Sequence, residues 1–213
     1  MYDKLPINIL IAGVGGQGNL LASRLLARAA MPKGFRTTIG ETKGASQRSG
    51  SVTSHIRFSE APLGPLIPLK AAHIILGFEP LETLRASRKY SNEGTTVIIN
   101  PGPVVPMLVA QGMQEYPPLE SIFSELKSTN KTVCVVEATE LAKQAGDSIA
   151  LNVVMLGALC GLGILPFERE HFVEAIVGRV PEKHRELNRR AFEAGYEQGC
   201  RQPAHGRKEG ESA

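Results

Sequence analysis

The hydrophobic pattern switches between two periods along the chain. Residues 7–12 are apolar but for Asn8 and predict a central strand buried on both faces. A helix is predicted over 20–30. Leu20, Leu21, Leu25 and Leu26 share its inner face, Ser23, Arg24 and Arg28 lie off it, and Pro32 and Gly34 end it. A short second strand is predicted over 35–39. At 52–58 strict alternation puts Val52, Ser54, Ile56 and Phe58 on one side and Thr53, His55 and Arg57 on the other, as in a half-exposed strand. Further strands are predicted over 73–77, within TTVIINPGPVVP, and over 131–138. Helices are predicted over 80–90, opened by Pro80, and over 115–128. From 139 the chain reads as helical, over 139–145, the apolar 149–167, 168–177 and 181–198.

Strands alternating with helices predict an α/β, Rossmann-like, doubly wound sheet, largely parallel, with a helical C-terminal portion from about residue 139. A single domain over 1–199 and a polar mobile tail over 200–213 are expected. Residues 149–167 approach bilayer-spanning length, but Asn152, Gly157, Gly161, Gly163 and Pro166 interrupt them. Gly157 and Gly161 form G-x-x-x-G, which permits close helix approach. A helix buried in the fold or at a subunit interface is the expectation, not a membrane span.

Composition narrows the chemistry. A net charge of +3, from 24 basic and 21 acidic residues, is too small to suggest nucleic-acid binding. The three cysteines, Cys134, Cys160 and Cys200, are far apart and have no C-x-x-C or neighbouring His. That spacing argues against a cluster or zinc site within the chain, and the odd cysteine count fits a reducing cytoplasm. The five histidines show no ligand-pair spacing.

Two loops carry candidate chemistry. Gly13-Val14-Gly15-Gly16-Gln17-Gly18 follows the first strand and opens the first helix, as in the dinucleotide-binding fingerprint. There Gly13 serves the tight turn, Gly15 close approach of a phosphate, and Gly18 helix packing. A nicotinamide enzyme needs an acidic residue at the end of the second strand. Glu41 falls just beyond the predicted strand, inside a Gly-rich loop, and the sequence offers no separate hydride-transfer half. A stand-alone NAD(P)- or flavin-dependent oxidoreductase therefore stays open as the alternative. The second loop holds Ser46, Gln47 and Arg48 between Gly44 and Gly50. Its hydroxyls and guanidinium suit phosphate or carboxylate, and it is expected beside the glycine turn. Glu79, Glu82 and Arg85 follow a buried strand, with Glu82 and Arg85 spaced to pair on a helix.

The segments GVGGQGNLLASRLLARAA, GASQRSGSVTSHIRFS and ILGFEPLETLR resemble the small subunits of indolepyruvate ferredoxin oxidoreductases. More broadly they resemble the gamma-type domain of the 2-oxoacid:ferredoxin oxidoreductases. The likeness runs over about 7–199. The family usually shows two glycines after Gln-Arg, where this chain has Ser49. The S-Q-R form is similar to the aryl-pyruvate branch. The resemblance implies a subunit inactive alone, with no catalytic residue, metal or cofactor of its own. Thiamine diphosphate and iron–sulfur clusters would sit in a larger alpha-type partner, ferredoxin would accept the electrons, and coenzyme A the acyl group. Gly13, Gly15, Gly16, Gln17, Gly18, Ser46, Gln47 and Arg48 would form an anion-, CoA- or partner-facing crevice.

Overall fold

The two hydrophobic periods build a six-stranded sheet covered by helices on both faces. The computed structural model describes residues 4–44, 50–105, 109, 111–178 and 180–201. The strands are β1 (Ile7–Val14), β2 (Arg36–Lys43), β3 (Ser51–Ser59), β4 (Ile74–Gly77), β5 (Thr96–Ile99) and β6 (Thr132–Val135), in the spatial order β2-β3-β1-β4-β5-β6. β1, β4, β5 and β6 pair in parallel, while β3 runs antiparallel to both of its neighbours, β1 and β2. Five strands thus point one way and only β3 is reversed. The carboxyl ends of β1, β2, β4, β5 and β6 share one edge.

Alternation along β1 serves both faces. Ile7, Ile9 and Ile11 join the core formed with α1 (Asn19–Ala30) and the C-terminal helices. Leu10 and Ala12 join the core beneath α2 (Pro80–Tyr90) and α3 (Leu119–Thr129). The C-terminal helices are α4 (Ala138–Ala145), α5 (Leu151–Gly161), α6 (Arg169–Val177) and α7 (Glu182–Arg201).

α5 is buried all round except at Cys160, so its lack of amphipathicity matches its surroundings. It ends at Gly161, before the turn around Gly163, and does not continue to 167. Its G-x-x-x-G meets a second one. An added Cβ at Gly161 would lie 3.0 Å from Cys200 N, and one at Gly199 would lie 3.0 Å from the Ala158 carbonyl carbon. Gly157 and Gly195 make the matching contacts one turn earlier, with Phe192 and Val154. Residue numbers rise together along the seam, so α5 and α7 run parallel with their backbones in contact. No helix among the described residues is long and apolar enough to cross a membrane.

Several sequence expectations are corrected. β2 extends to Lys43, so Glu41 lies in the strand rather than beyond it. β3 is not half exposed. From Ser54 onward both of its faces are buried, His55 fully, because the connection to β4 and Tyr90 cover its polar side. Arg57 holds that connection down, donating from Nη1 to the carbonyls of Gly64 (2.9 Å) and Leu66 (3.2 Å) and from Nε to Asn8 Oδ1 (3.0 Å). Ser23 is buried and donates to the Asn19 carbonyl, whereas Leu21 is 51% exposed. The first turn of α1 carries Leu21 past the sheet edge. The helix predicted from 115 starts at Leu119, after Pro118.

Candidate functional site

The sequence places its glycine motif at the carboxyl edge, where open α/β sheets form sites. Gly13 lies within β1, and a Cβ there would meet Gln17 Oε1 at 2.6 Å and Phe78 Cβ at 3.1 Å. Gly16 (φ 102°) and Gly18 (φ 81°) adopt left-handed backbone that an L side chain rarely takes. Gly16 faces open space, while Gly18 backs onto Asn152 of α5, whose Nδ2 would lie 2.5 Å from an added Cβ.

Gln17 folds inward and joins neighbouring strands. Its Oε1 accepts from Val14 N–H at 2.9 Å, and its Nε2 donates to the Phe78 carbonyl at 3.0 Å. The same carbonyl accepts from Asn100 Nδ2 at 3.1 Å. Asn100 Oδ1 accepts from the backbone N–H and hydroxyl of Thr139, at 3.1 and 3.2 Å. One hydrogen-bonded chain thus ties the ends of β1, β4, β5 and the start of α4. Asn100 and Thr139 had no motif to mark them. The only signal was an Asn directly after an apolar strand.

Beside the turn lies a crevice of about 320 Å³, lined by Gly15, Gly16, Asn19, Glu41, Lys43 and Val52 among others. Asn19 Nδ2 donates to the Val52 carbonyl at 3.0 Å, and its buried Oδ1 has no protein partner. Gly15 N–H donates to the Gly50 carbonyl at 3.0 Å, and Gly44 N–H to the Ser51 carbonyl at 2.8 Å. The base of the second loop is therefore fastened beside the glycine turn. Ser46, Gln47 and Arg48 lie outside the described residues.

Glu41 shares this crevice but does not complete a dinucleotide fingerprint. In that fingerprint the second strand neighbours the first. Here β3 stands between β2 and β1. The Glu41 carboxylate accepts from Ser54 Oγ (3.3 Å) and pairs with Lys43 Nζ (3.3 Å). With Gly15 N–H already bonded, the arrangement does not fit a pyrophosphate on the glycine turn.

Glu79 is a second acidic group at this edge. It caps α2 through Oε2, accepting from Glu82 N–H at 2.8 Å. Its Oε1 accepts from the Tyr116 hydroxyl (2.6 Å) and Val104 N–H (3.4 Å). Burial raises its pKa above the usual carboxylate range, and these three hydrogen bonds oppose the shift. Glu82 pairs with Arg85 at 2.6 Å, as the spacing predicts. Among the described residues no group of three or more His, Cys, Asp or Glu could hold a metal.

The pattern of the pyruvate ferredoxin/flavodoxin oxidoreductases matches residues 8–198. The chain belongs to this family. Within the oxidoreductase family, indolepyruvate oxidoreductase subunit IorB of Archaeoglobus fulgidus is 41% identical over 194 residues, covering 91% of this chain and 96% of that one. The pyruvate oxidoreductase subunit PORC of Thermotoga maritima shares the fold, with a TM-score of 0.67 at 24% identity over 91% of this chain and 97% of that one. So does a 2-oxoglutarate:ferredoxin oxidoreductase from Magnetococcus marinus, solved with 2-oxoglutarate, coenzyme A and succinyl-CoA bound (TM-score 0.70, 19% identity). That match covers 93% of this chain but 32% of the other, so the fold forms part of a longer chain there. The resemblance carried by the glycine and Gln-Arg segments thus extends over most of the chain, and its relatives are subunits of oxidoreductase complexes.

Proposed function

We propose that this chain is the small subunit of a cytoplasmic 2-oxoacid:ferredoxin oxidoreductase acting on aryl pyruvates of the indolepyruvate type. The observation that carries this reading is the 41% identity to subunit IorB across nearly the full length of both chains. In the complete reaction the 2-oxo acid loses carbon dioxide, gives up an electron pair to ferredoxin, and leaves its acyl group on coenzyme A. Thiamine diphosphate, held by the larger partner with the iron–sulfur clusters, would stabilise the carbanion left by decarboxylation. This chain contributes no reacting group. Its part is to present a shaped crevice at the sheet edge.

In that crevice Gly13, Gly16 and Gly18 set the backbone and Gln17 locks the turn to β4. Lys43, with Ser46, Gln47 and Arg48 of the adjoining loop, supplies donors for a phosphate of coenzyme A or a substrate carboxylate. The poor fit to a pyrophosphate on the glycine turn speaks against a free-standing nicotinamide or flavin enzyme.

The test is reconstitution. The purified chain alone is expected to oxidise no indolepyruvate, and co-expression with the larger subunit to restore turnover. Full activity from the isolated chain would overturn the reading. In the reconstituted complex Arg48→Ala removes a charge-assisted contact typically worth about 1.5–3 kcal/mol, so a KM should rise about 10- to 150-fold. Unchanged KM values for both coenzyme A and oxo acid would leave Arg48 outside the site.

A further inference from the structure

Five large apolar side chains stand exposed at the carboxyl edge: Leu21, Val105, Met113, Val135 and Ile149. Single exposed aliphatics are ordinary, but a set on one edge marks an interaction surface. Leu21 projects from the first turn of α1, and Ile149 lies one turn before Asn152, the residue that backs Gly18. Val105 follows Val104, whose N–H reaches Glu79, and Met113 comes three residues before Tyr116, which binds the same carboxylate. Val135 ends β6. Leu21 and Ile149 thus flank the glycine turn, Val105 and Met113 lie near Glu79 in the chain, and Val135 closes the β6 end of the same edge. The three other large apolar side chains described as exposed, Met31, Leu66 and Leu69, follow the C-terminus of α1 or lie in the connection from β3 to β4.

The strand ends at this edge are already cross-linked in the isolated chain. Gln17, Asn100 and Thr139 cross-link its strands, so docking would require little further ordering of the backbone. The 320 Å³ crevice indents this edge beside Leu21, which lines it. A second copy of the chain meeting it symmetrically about the crevice would set hollow against hollow and leave a void. A partner with a protruding surface fits. Among the described residues of the crevice wall Glu41 is paired with Lys43, so no described basic cluster marks it for a polyanion or an anionic bilayer. In the Magnetococcus marinus oxidoreductase about two-thirds of the matched chain lies outside the shared fold, so there the fold is joined to further protein.

We propose that this edge is the docking face for the larger, cofactor-bearing subunit, with Leu21 and Ile149 as anchors flanking the glycine turn. The proposal rests on the functional reading above and adds the face to it. Docking there seals the crevice between the two subunits and leaves the opposite edge of the sheet in solvent.

Affinity between the chain and its larger subunit, purified with its cofactors, tests the proposal by sedimentation or interferometry. Leu21→Asp with Ile149→Asp is expected to weaken binding at least about 30-fold, and the paired alanine variant by less. Met31→Asp, an equally exposed position at the other end of α1, should stay within about twofold of wild type. Both anchors are more than half exposed, and unchanged circular dichroism will show that the variants fold. A wild-type complex that the aspartate double variant forms equally well overturns the docking face alone. If that variant instead disrupts only a homodimer of the isolated chain, the face belongs to a second copy and the proposal also falls. A wild-type chain that forms no complex with the larger subunit overturns the functional reading as well.

Discussion

Gly195→Ala would test whether the α5–α7 seam holds the C-terminal half in place. A Cβ at Gly195 would lie 2.8 Å from the Val154 carbonyl carbon and 3.0 Å from its Cα, and closer still to its oxygen. Carbon atoms settle at about 3.5–4.0 Å, so the helices must part by roughly 1 Å. A gap of that size forfeits a quarter to a half of each dispersion contact. Over some 40 atom pairs at ~0.1–0.2 kcal/mol each, the loss is about 1–4 kcal/mol. Alanine in place of glycine returns about 1 kcal/mol of helix propensity. The expected balance is a net destabilisation of up to about 3 kcal/mol. For a chain of this size about 3 kcal/mol lowers Tm by about 6–12 °C, measurable by calorimetry and by urea unfolding. Glu197→Ala, an exposed position on the same helix, should change stability by no more than about 0.5 kcal/mol. A Gly195→Ala protein as stable as wild type, or more so, would refute the close-contact account, because propensity alone would then decide the sign.

Two buried titratable groups give opposite pH dependences. Burial, with Lys89 and Arg57 nearby, lowers the His55 pKa from 6.5 to about 4. The unfolded chain therefore binds the extra proton, and stability should fall by up to about 3 kcal/mol between about pH 6.5 and 4. Urea unfolding of His55→Gln across that range should lack this component, and an unchanged slope would contradict it. Glu79 is shifted the other way: its raised pKa contributes stability that is present below the ordinary carboxylate value and lost as pH rises through the folded value. Wild type should therefore lose stability relative to Glu79→Gln as pH rises above about 4.5, and a difference that is flat or grows with pH would refute the assignment.

The sequence revealed features whose cause is local. β1 and its glycine turn, the helix opened by Pro80, and the buried character of α5 followed from apolar runs, glycine spacing and proline placement. Features created by long-range covering were not legible. His55 and Arg57 look solvent-facing from alternation, yet the connection to β4 folds over them, and nothing local announces that cover. Leu21 has the helical spacing of a core residue, but it sits where α1 leaves the sheet. Glu79 was visible as an acidic residue in a family-like segment. Its role as a buried cap shared with Tyr116 depends on a segment 37 residues away. Glu41 looks misplaced for a dinucleotide because the apolar pattern ends at Ile39, before β2 itself does. The stronger objection, β3 inserted beside β1, needed the strand order.

The parallel seam of α5 and α7 bears on the order of synthesis. α5 emerges from the ribosome well before Gly195 and Gly199, the glycines that receive its backbone. At ~5–20 residues per second it remains for seconds a nearly all-apolar segment without its mate. A nascent chain halted between α6 and α7 would expose that segment to aggregation and to hydrophobic-segment-binding chaperones. Release of α7 is the event that turns α5 from a sticky nascent segment into core.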